Sequence, residues 1–269
     1  MEYSTIKLEK TNGVATVTLN RPEKGNALNA EVLQGLEDMF AEISQDNSVR
    51  VMVITGAGRH FCTGADITWF HDIVERRERG EYGKEVSSSY MLPTRLGLAL
   101  RNMPQPTIAS INGSAIGGGA TLVLGCDIRI AAEEARISFP FVSTVGIVPE
   151  LGSTYTLPRL VGIAKACELV FTGRTITGKE AKEIGLVNEV VLLADLERVT
   201  SELAKNIAEV APMAVQLAKK GLYQGLNSDI QSQLLWEEEG LRRTYESEEH
   251  REAVKAFFEK RKPLFKGRK

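Results

Sequence analysis

Thr107-Ile108-Ala109-Ser110-Ile111, Asn112-Gly113-Ser114-Ala115-Ile116, Gly117-Gly118-Gly119, Ala120-Thr121-Leu122-Val123-Leu124-Gly125 and Cys126-Asp127-Ile128-Arg129-Ile130-Ala131-Ala132 follow one another through the middle of the chain. Thr107 to Ile111 is a short apolar, β-branched run and reads as a strand. The glycine triplet punctuates it, Ala120 to Gly125 has helical character, and Asp127 to Ala132 reads as a strand again. Strands and helices in alternation predict an α/β architecture.

The flanks agree. Ile6 and Leu8, an Asn12-Gly13 turn, and Val14 to Leu19 form a predicted β-hairpin, which Arg21-Pro22 ends. Asn29 can cap a helix whose Val32, Leu33, Leu36, Met39, Phe40 and Ile43 recur at helical spacing. Val49 to Thr55 reads as a buried strand. The stretch from His71 to Glu85 is too charged for a core and is expected to be a mobile or solvated insertion, with helix resuming near Ser87. Thr177 can cap a short helix ending near Gly185, and Leu186 to Val191 reads as a strand. From Asp195 onward only helical patterns remain. The expected division is therefore an α/β core at 1–194 and a helical region at 195–269 that packs on it.

Composition removes several function classes. The 269 residues are 43% hydrophobic and 25% charged, enough for one large core with a smaller appended unit. Asp and Glu number 35 against 33 Lys and Arg, so no global field favours nucleic acid or an anionic membrane. Cys62, Cys126 and Cys167 stand far apart and are expected to be reduced thiols. The first residues form neither a signal core nor an Arg-rich leader, and no window has the apolar run of a membrane span, so a cytoplasmic location is expected. His60, His71 and His250 lack metal-ligand spacing, and no GxSxG elbow, GxGxxG fingerprint or Walker cradle is present. The basic tail, Lys260-Arg261-Lys262 with Lys266, Arg268 and Lys269, could touch phosphate or be a solvated charge run.

Two glycine-bearing segments remain. Gly64-Ala65-Asp66 follows a strand, and Gly117-Gly118-Gly119 lies between strand and helix, where backbone N–H groups are unpaired and the helix dipole favours negative charge. If they converge, two amides form an oxyanion hole. Otherwise the glycines serve tight turns or close packing.

The succession Arg21-Pro22, Asn26-Ala27-Leu28-Asn29, Val53-Ile54-Thr55-Gly56, Phe61-Cys62-Thr63-Gly64-Ala65-Asp66-Ile67, Ile111-Asn112-Gly113, Gly117-Gly118-Gly119, Cys126-Asp127 and Thr172-Gly173 resembles the crotonase (enoyl-CoA hydratase/isomerase) superfamily in order and spacing. The closing Ala256-Phe257-Phe258-Glu259-Lys260-Arg261-Lys262-Pro263 extends the resemblance over nearly the whole chain. It implies a spiral of ββα units with a helical C-terminal region, assembled as a homotrimer or homohexamer. It also implies oxyanion-hole amides at Ala65 and Gly118, with the acyl-CoA along Ala65, Asp66, Ile67 and Thr68. Lys24 and Ala27 would lie near the nucleotide or pantetheine, and Phe257 and Lys260 would reach the CoA, often that of a neighbouring subunit. Coenzyme A would be part of the substrate, with no separate cofactor and no metal.

One departure from that pattern carries the functional expectation. Enoyl-CoA hydratases of the superfamily carry two catalytic glutamates, whereas Thr121 stands at the first position and Phe141 or Val142 at the second. Neither a hydroxyl nor an apolar side chain replaces a carboxylate in activating water. Glu150, in Val145-Gly146-Ile147-Val148-Pro149-Glu150-Leu151-Gly152-Ser153-Thr154-Tyr155, is similar to the single glutamate of Δ3,Δ2-enoyl-CoA isomerases, which shuttles a proton from C2 to C4. The expected activity is therefore enoyl-CoA isomerisation. The alternatives are an enoyl-CoA hydratase with unconventional residues, an acyl-CoA dehalogenase or hydrolase-like enzyme using Glu150 covalently, and a non-catalytic acyl-CoA- or RNA-binding homologue. Near-neutral charge and the lack of an interleaved basic and aromatic strip argue against nucleic acid.

Overall fold

The computed structural model describes residues 3–81 and 84–265. In chain order the elements are Ile6–Thr11 (β1), Val14–Leu19 (β2), Ala30–Gln45 (α1), Val51–Gly56 (β3), Ile67–Glu78 (α2), Lys84–Asn102 (α3), Thr107–Ile111 (β4), Ala115–Ile116 (β5), Gly118–Gly125 (α4), Ile128–Ala132 (β6), Arg136–Ser138 (β7), Ser153–Val161 (α5), Ile163–Thr172 (α6), Ile176–Thr177 (β8), Gly178–Glu183 (α7), Glu189–Val191 (β9), Leu193–Ala208 (α8), Pro212–Gly225 (α9), Ile230–Tyr245 (α10) and Glu248–Phe258 (α11). No helix among the described residues is long and apolar enough to cross a membrane.

The first hairpin forms where both central turn residues accept positive φ, Asn12 at 51° and Gly13 at 80°. Its strands begin a six-stranded sheet ordered β1-β2-β3-β4-β6-β9, antiparallel at β1–β2 and parallel thereafter. β4 is buried along its whole length and β3 along nearly all of it, as expected of central parallel strands covered on both faces. The Asn29 carboxamide oxygen accepts the Val32 amide at 2.9 Å and starts α1, whose six predicted apolar residues are all buried. Helix α8 packs on β2, β3, β4 and β6, while α9 pairs with α10 and α10 with α11. A second sheet, β5-β7-β8, stands beside α4.

The expected insertion at His71 to Glu85 is corrected. His71 to Glu78 belongs to α2, a regular helix that Asp66 caps through its side chain. Trp69, Phe70, Ile73 and Val74, with Arg77, form one wall of a cleft. That i, i+3, i+4 spacing was present in the sequence but submerged under the charge count. Residues 82–83 of that stretch, and Lys266, Arg268 and Lys269 of the basic tail, lie outside the described residues.

Candidate active site

Two short bridges outside the main strands bring the glycine segments together. Cys62 bridges Ala115 in parallel, with the Cys62 amide donating to the Ser114 carbonyl and the Ile116 amide to the Cys62 carbonyl, both at 2.9 Å. Ala65 bridges Leu28: the Leu28 amide donates to the Gly64 carbonyl at 2.7 Å and the Asp66 amide to the Leu28 carbonyl at 2.8 Å. In such a parallel bridge the bonds run through the residues on either side of Ala65, so the Ala65 amide itself points away from Leu28.

Glycine is required at the crossing. A β-carbon on Gly119 would overlap the Cys62 carbonyl oxygen. Gly64, at φ +96°, would place one 2.8 Å from the Ile116 carbonyl oxygen and 3.7 Å from the Gly118 nitrogen. Close packing and amide exposure thus come from the same residues. Gly118 is the first residue of α4, where the helix cannot satisfy its own N–H groups. Among the described residues neither the Ala65 nor the Gly118 amide has a hydrogen-bond partner.

Glu150 comes to the same point from the loop before α5. Its Oε1 lies 3.1 Å from where a β-carbon on Gly118 would stand. The next residue, Leu151, is buried with φ at +57°, an uncommon conformation for a branched side chain. Gly97 of α3 permits it, because a β-carbon there would come within 3.2 Å of the Leu151 backbone. The Ser153 amide then donates to the Glu150 carbonyl at 3.0 Å as α5 begins. Burial pushes the Glu150 carboxyl above the usual carboxylate range.

Among the described residues the neighbouring side chains offer no second carboxylate. Thr121 is fully buried and its hydroxyl donates to the Gly118 carbonyl at 3.0 Å. Phe141 is buried with its ring tip 4.0 Å from the β-carbon position of Gly117, while Val142 is 46% exposed, so Phe141 is the residue that faces the glycine turn. Cys62 is buried as well, which pushes its thiol up to about 12 and removes it as a nucleophile.

Ala65, Leu28 and Glu150 line a cleft of about 1490 Å³, and Gly118 lies against the latter two. Glu150 is the one carboxylate among the described residues that line it. Ala65, Leu28, Trp69, Phe70, Val145 and Ile147 make an apolar portion, and Arg101, Tyr155, Lys219 and Tyr223 a polar one. Sequence reading missed both α2 and the polar group, since nothing in the spacing of Arg101 and Tyr223 announces that α3 and α9 meet there. Other sequence-chosen residues lie outside the cleft. Asp66 ties down α2, accepting the Thr68 hydroxyl at 2.8 Å and pairing with Arg21 at 3.1 Å. Ile67 is 66% exposed, Ala27 is buried, and Lys24 is exposed at the end of the short helical turn Pro22–Lys24. Phe257 is 79% exposed at the end of α11, with Lys260 just beyond it.

A sheet crossed by a glycine-built pair of free amides, with an acid above them, is the arrangement of the crotonase fold. The sequence pattern of the enoyl-CoA hydratase/isomerase family matches residues 9–268, and the chain belongs to that family. It is similar to the short-chain-enoyl-CoA hydratase of Clostridium acetobutylicum, 40% identical over 97% of each chain. It is similar also to the 1,2-epoxyphenylacetyl-CoA isomerase of Escherichia coli, 34% identical over 100% of each. The crystal structure of an enoyl-CoA hydratase from Bacillus anthracis superposes with a TM-score of 0.90 at 37% identity, covering 98% of this chain and 100% of that one.

Proposed function

We propose that the protein is a Δ3,Δ2-enoyl-CoA isomerase in which Glu150 moves the proton and the Ala65 and Gly118 amides hold the thioester oxygen. The observation that carries this reading is a cleft in which Glu150 is the single carboxylate among the described residues, beside the unpartnered Ala65 and Gly118 amides, with Thr121 and Phe141 at the positions where hydratases carry glutamates.

The acyl-CoA lies along Ala65, Asp66, Ile67 and Thr68, with its thioester carbonyl between the amides. Glu150 takes a proton from C2, and the electron pair shifts into the thioester, placing negative charge on the oxygen that the amides face. The protonated carboxyl returns the proton at C4, so the double bond moves from C3–C4 to C2–C3. Atoms and charge balance without water, metal or redox partner. A raised carboxyl pKa suits the task, because it makes the carboxylate a stronger base for the first step and leaves its conjugate acid to return the proton. Assembly as a homotrimer or homohexamer belongs to the same reading and is supported by Leu234, Leu235, Leu241, Phe257 and Phe258, all more than half exposed on α10 and α11.

Hydration is the second reading, favoured by the hydratase names among the relatives. Turnover of matched 3-enoyl- and 2-enoyl-CoA thioesters decides between them. The isomerase reading expects the 3-enoyl thioester to be conjugated much faster than the 2-enoyl thioester gains water, and the opposite order overturns it.

A further inference from the structure

Among the described residues four cationic side chains line the cleft: Arg77, Arg101, Lys219 and Lys220. Lys219 Nζ is 2.8 Å from Asp127 Oδ2, and Lys220 Nζ lies 4.9 Å from the Trp236 ring centroid. Arg101 is different. Among the described residues its guanidinium makes no hydrogen bond or ion pair, only ring contacts. Its central carbon is 3.3 Å from the Tyr223 ring centroid and 5.8 Å from that of Tyr155.

At 3.3 Å the guanidinium stacks on the ring, which occupies one face and leaves its N–H edges without an acceptor. The plate beneath it is fixed, since the Tyr223 hydroxyl donates to Asp127 Oδ1 at 2.5 Å. Arg101 is also half-buried, where an unpaired cation is costly to keep. Nor is it the counter-ion of the base, because burial alone accounts for the raised Glu150 carboxyl.

Arg101 and the base share one cleft. Arg101 lies one turn beyond Gly97 on α3, and Gly97 packs on Leu151 beside Glu150. Four residues give about 6 Å of rise, and Arg101 and Glu150 line the same cleft, so one acyl chain can meet both.

We propose that Arg101 is a specificity-determining residue that receives a carboxylate at the far end of a short acyl chain, so that the preferred substrate is an ω-carboxyacyl thioester. This rests on the acyl-CoA reading given under Proposed function. A planar, bidentate donor with an aromatic backing is the side chain suited to a carboxylate.

The test measures binding rather than turnover, by calorimetry with two saturated thioesters of equal length, adipoyl-CoA and hexanoyl-CoA. The parent should bind adipoyl-CoA about 10- to 100-fold more tightly. In Arg101→Met the ratio should fall below about threefold, and in Arg101→Lys it should return in part, with melting temperatures checking that both variants fold. Adipoyl and hexanoyl thioesters of pantetheine, which lack phosphates, should keep the parent's preference. Equal binding of the two CoA thioesters by the parent, or an unchanged ratio in Arg101→Met, overturns the proposal. So does a loss of affinity in Arg101→Met that is equal for both CoA thioesters and absent with pantetheine, which would assign the guanidinium to a CoA phosphate. Tight adipoyl-CoA binding without isomerisation of any 3-enoyl thioester would overturn the isomerase reading while leaving this one standing.

Discussion

Glu150 Oε1 and the α-carbon of Gly118 face each other so closely that the missing Gly118 side chain is what makes room for the acid, with 3.1 Å separating the carboxylate oxygen from a β-carbon placed there. A carboxylate and the first amide of α4 therefore share one small volume. That volume can hold a thioester oxygen on one side and an adjacent carbon on the other.

Two substitutions at Gly118 separate the amide from the space. Gly118→Ala keeps the N–H but adds a β-carbon 2.8 Å from a Leu28 methyl and 3.1 Å from Glu150, whereas Gly118→Pro removes the N–H as well. Proline is tolerated at the first position of a helix, so α4 should survive. Turnover in the Pro variant should fall on the order of 10²–10³-fold below that of the Ala variant. Equal rates in the two would take the Gly118 amide out of the chemistry.

The buried acid has a pH signature in both rate and stability. The acid limb of kcat/KM should have its midpoint above the ordinary glutamate value of about 4.3, because burial raises the Glu150 carboxyl. Between that ordinary value and the raised one the folded state binds more protons than the unfolded chain, so this group lowers stability as pH rises through the interval. Glu150→Gln removes the titration. Its melting temperature relative to the parent should climb from pH 4 towards neutrality and then level off, as followed by calorimetry across pH.

Asp127 joins three elements behind the cleft. Its carboxylate accepts the Thr107 amide at 2.7 Å and the Tyr223 hydroxyl at 2.5 Å, and pairs with Lys219 at 2.8 Å. Asp127→Ala leaves the Lys219 ammonium, 9% exposed, without its ion-pair partner and with only the Gln105 carbonyl at 2.9 Å to accept from it, and should cost about 3 kcal/mol in denaturant unfolding. Asp127→Asn, which can still accept hydrogen bonds, should lose less.

Exposed apolar residues on α10 and α11 carry the assembly expectation. Sedimentation at micromolar concentration should give a trimer or hexamer, and replacing Phe257 and Phe258, both 79% exposed, by Ser should shift the protein towards monomer. A monomeric parent with full turnover would refute it.

Legibility from sequence followed the range of the interactions. The hairpin at Asn12-Gly13, the Asn29 cap and the Thr177 cap were readable because each is decided within four residues. The two glycine segments stood out by themselves, because the Cys62–Ala115 crossing requires them for steric reasons, while Ala65 and Gly118 within them were singled out by the family resemblance. Helix α2 was hidden because seven of its twelve residues are polar, and its apolar face acquires meaning only against α3 and α9. Arg101 and Tyr223 stand 122 positions apart, and no local pattern reports a ring stacking on a guanidinium at that separation. Helices α5 and α6, which begin after Gly152 and Gly162, likewise lacked side-chain caps that would mark their starts.

The most direct measurement is single-turnover isomerisation of a 3-enoyl-CoA by the parent and by Glu150→Gln in deuterated water. The substitution keeps size and hydrogen bonding but removes the base, and should slow conjugation by roughly 10²–10⁴-fold with binding nearly unchanged. The parent should place solvent deuterium at C4 to the extent that the carboxyl exchanges its proton during the reaction. A Glu150→Gln enzyme that conjugates the 3-enoyl thioester as fast as the parent would contradict the account, because the acid held beside Gly118 would then not be what moves the proton.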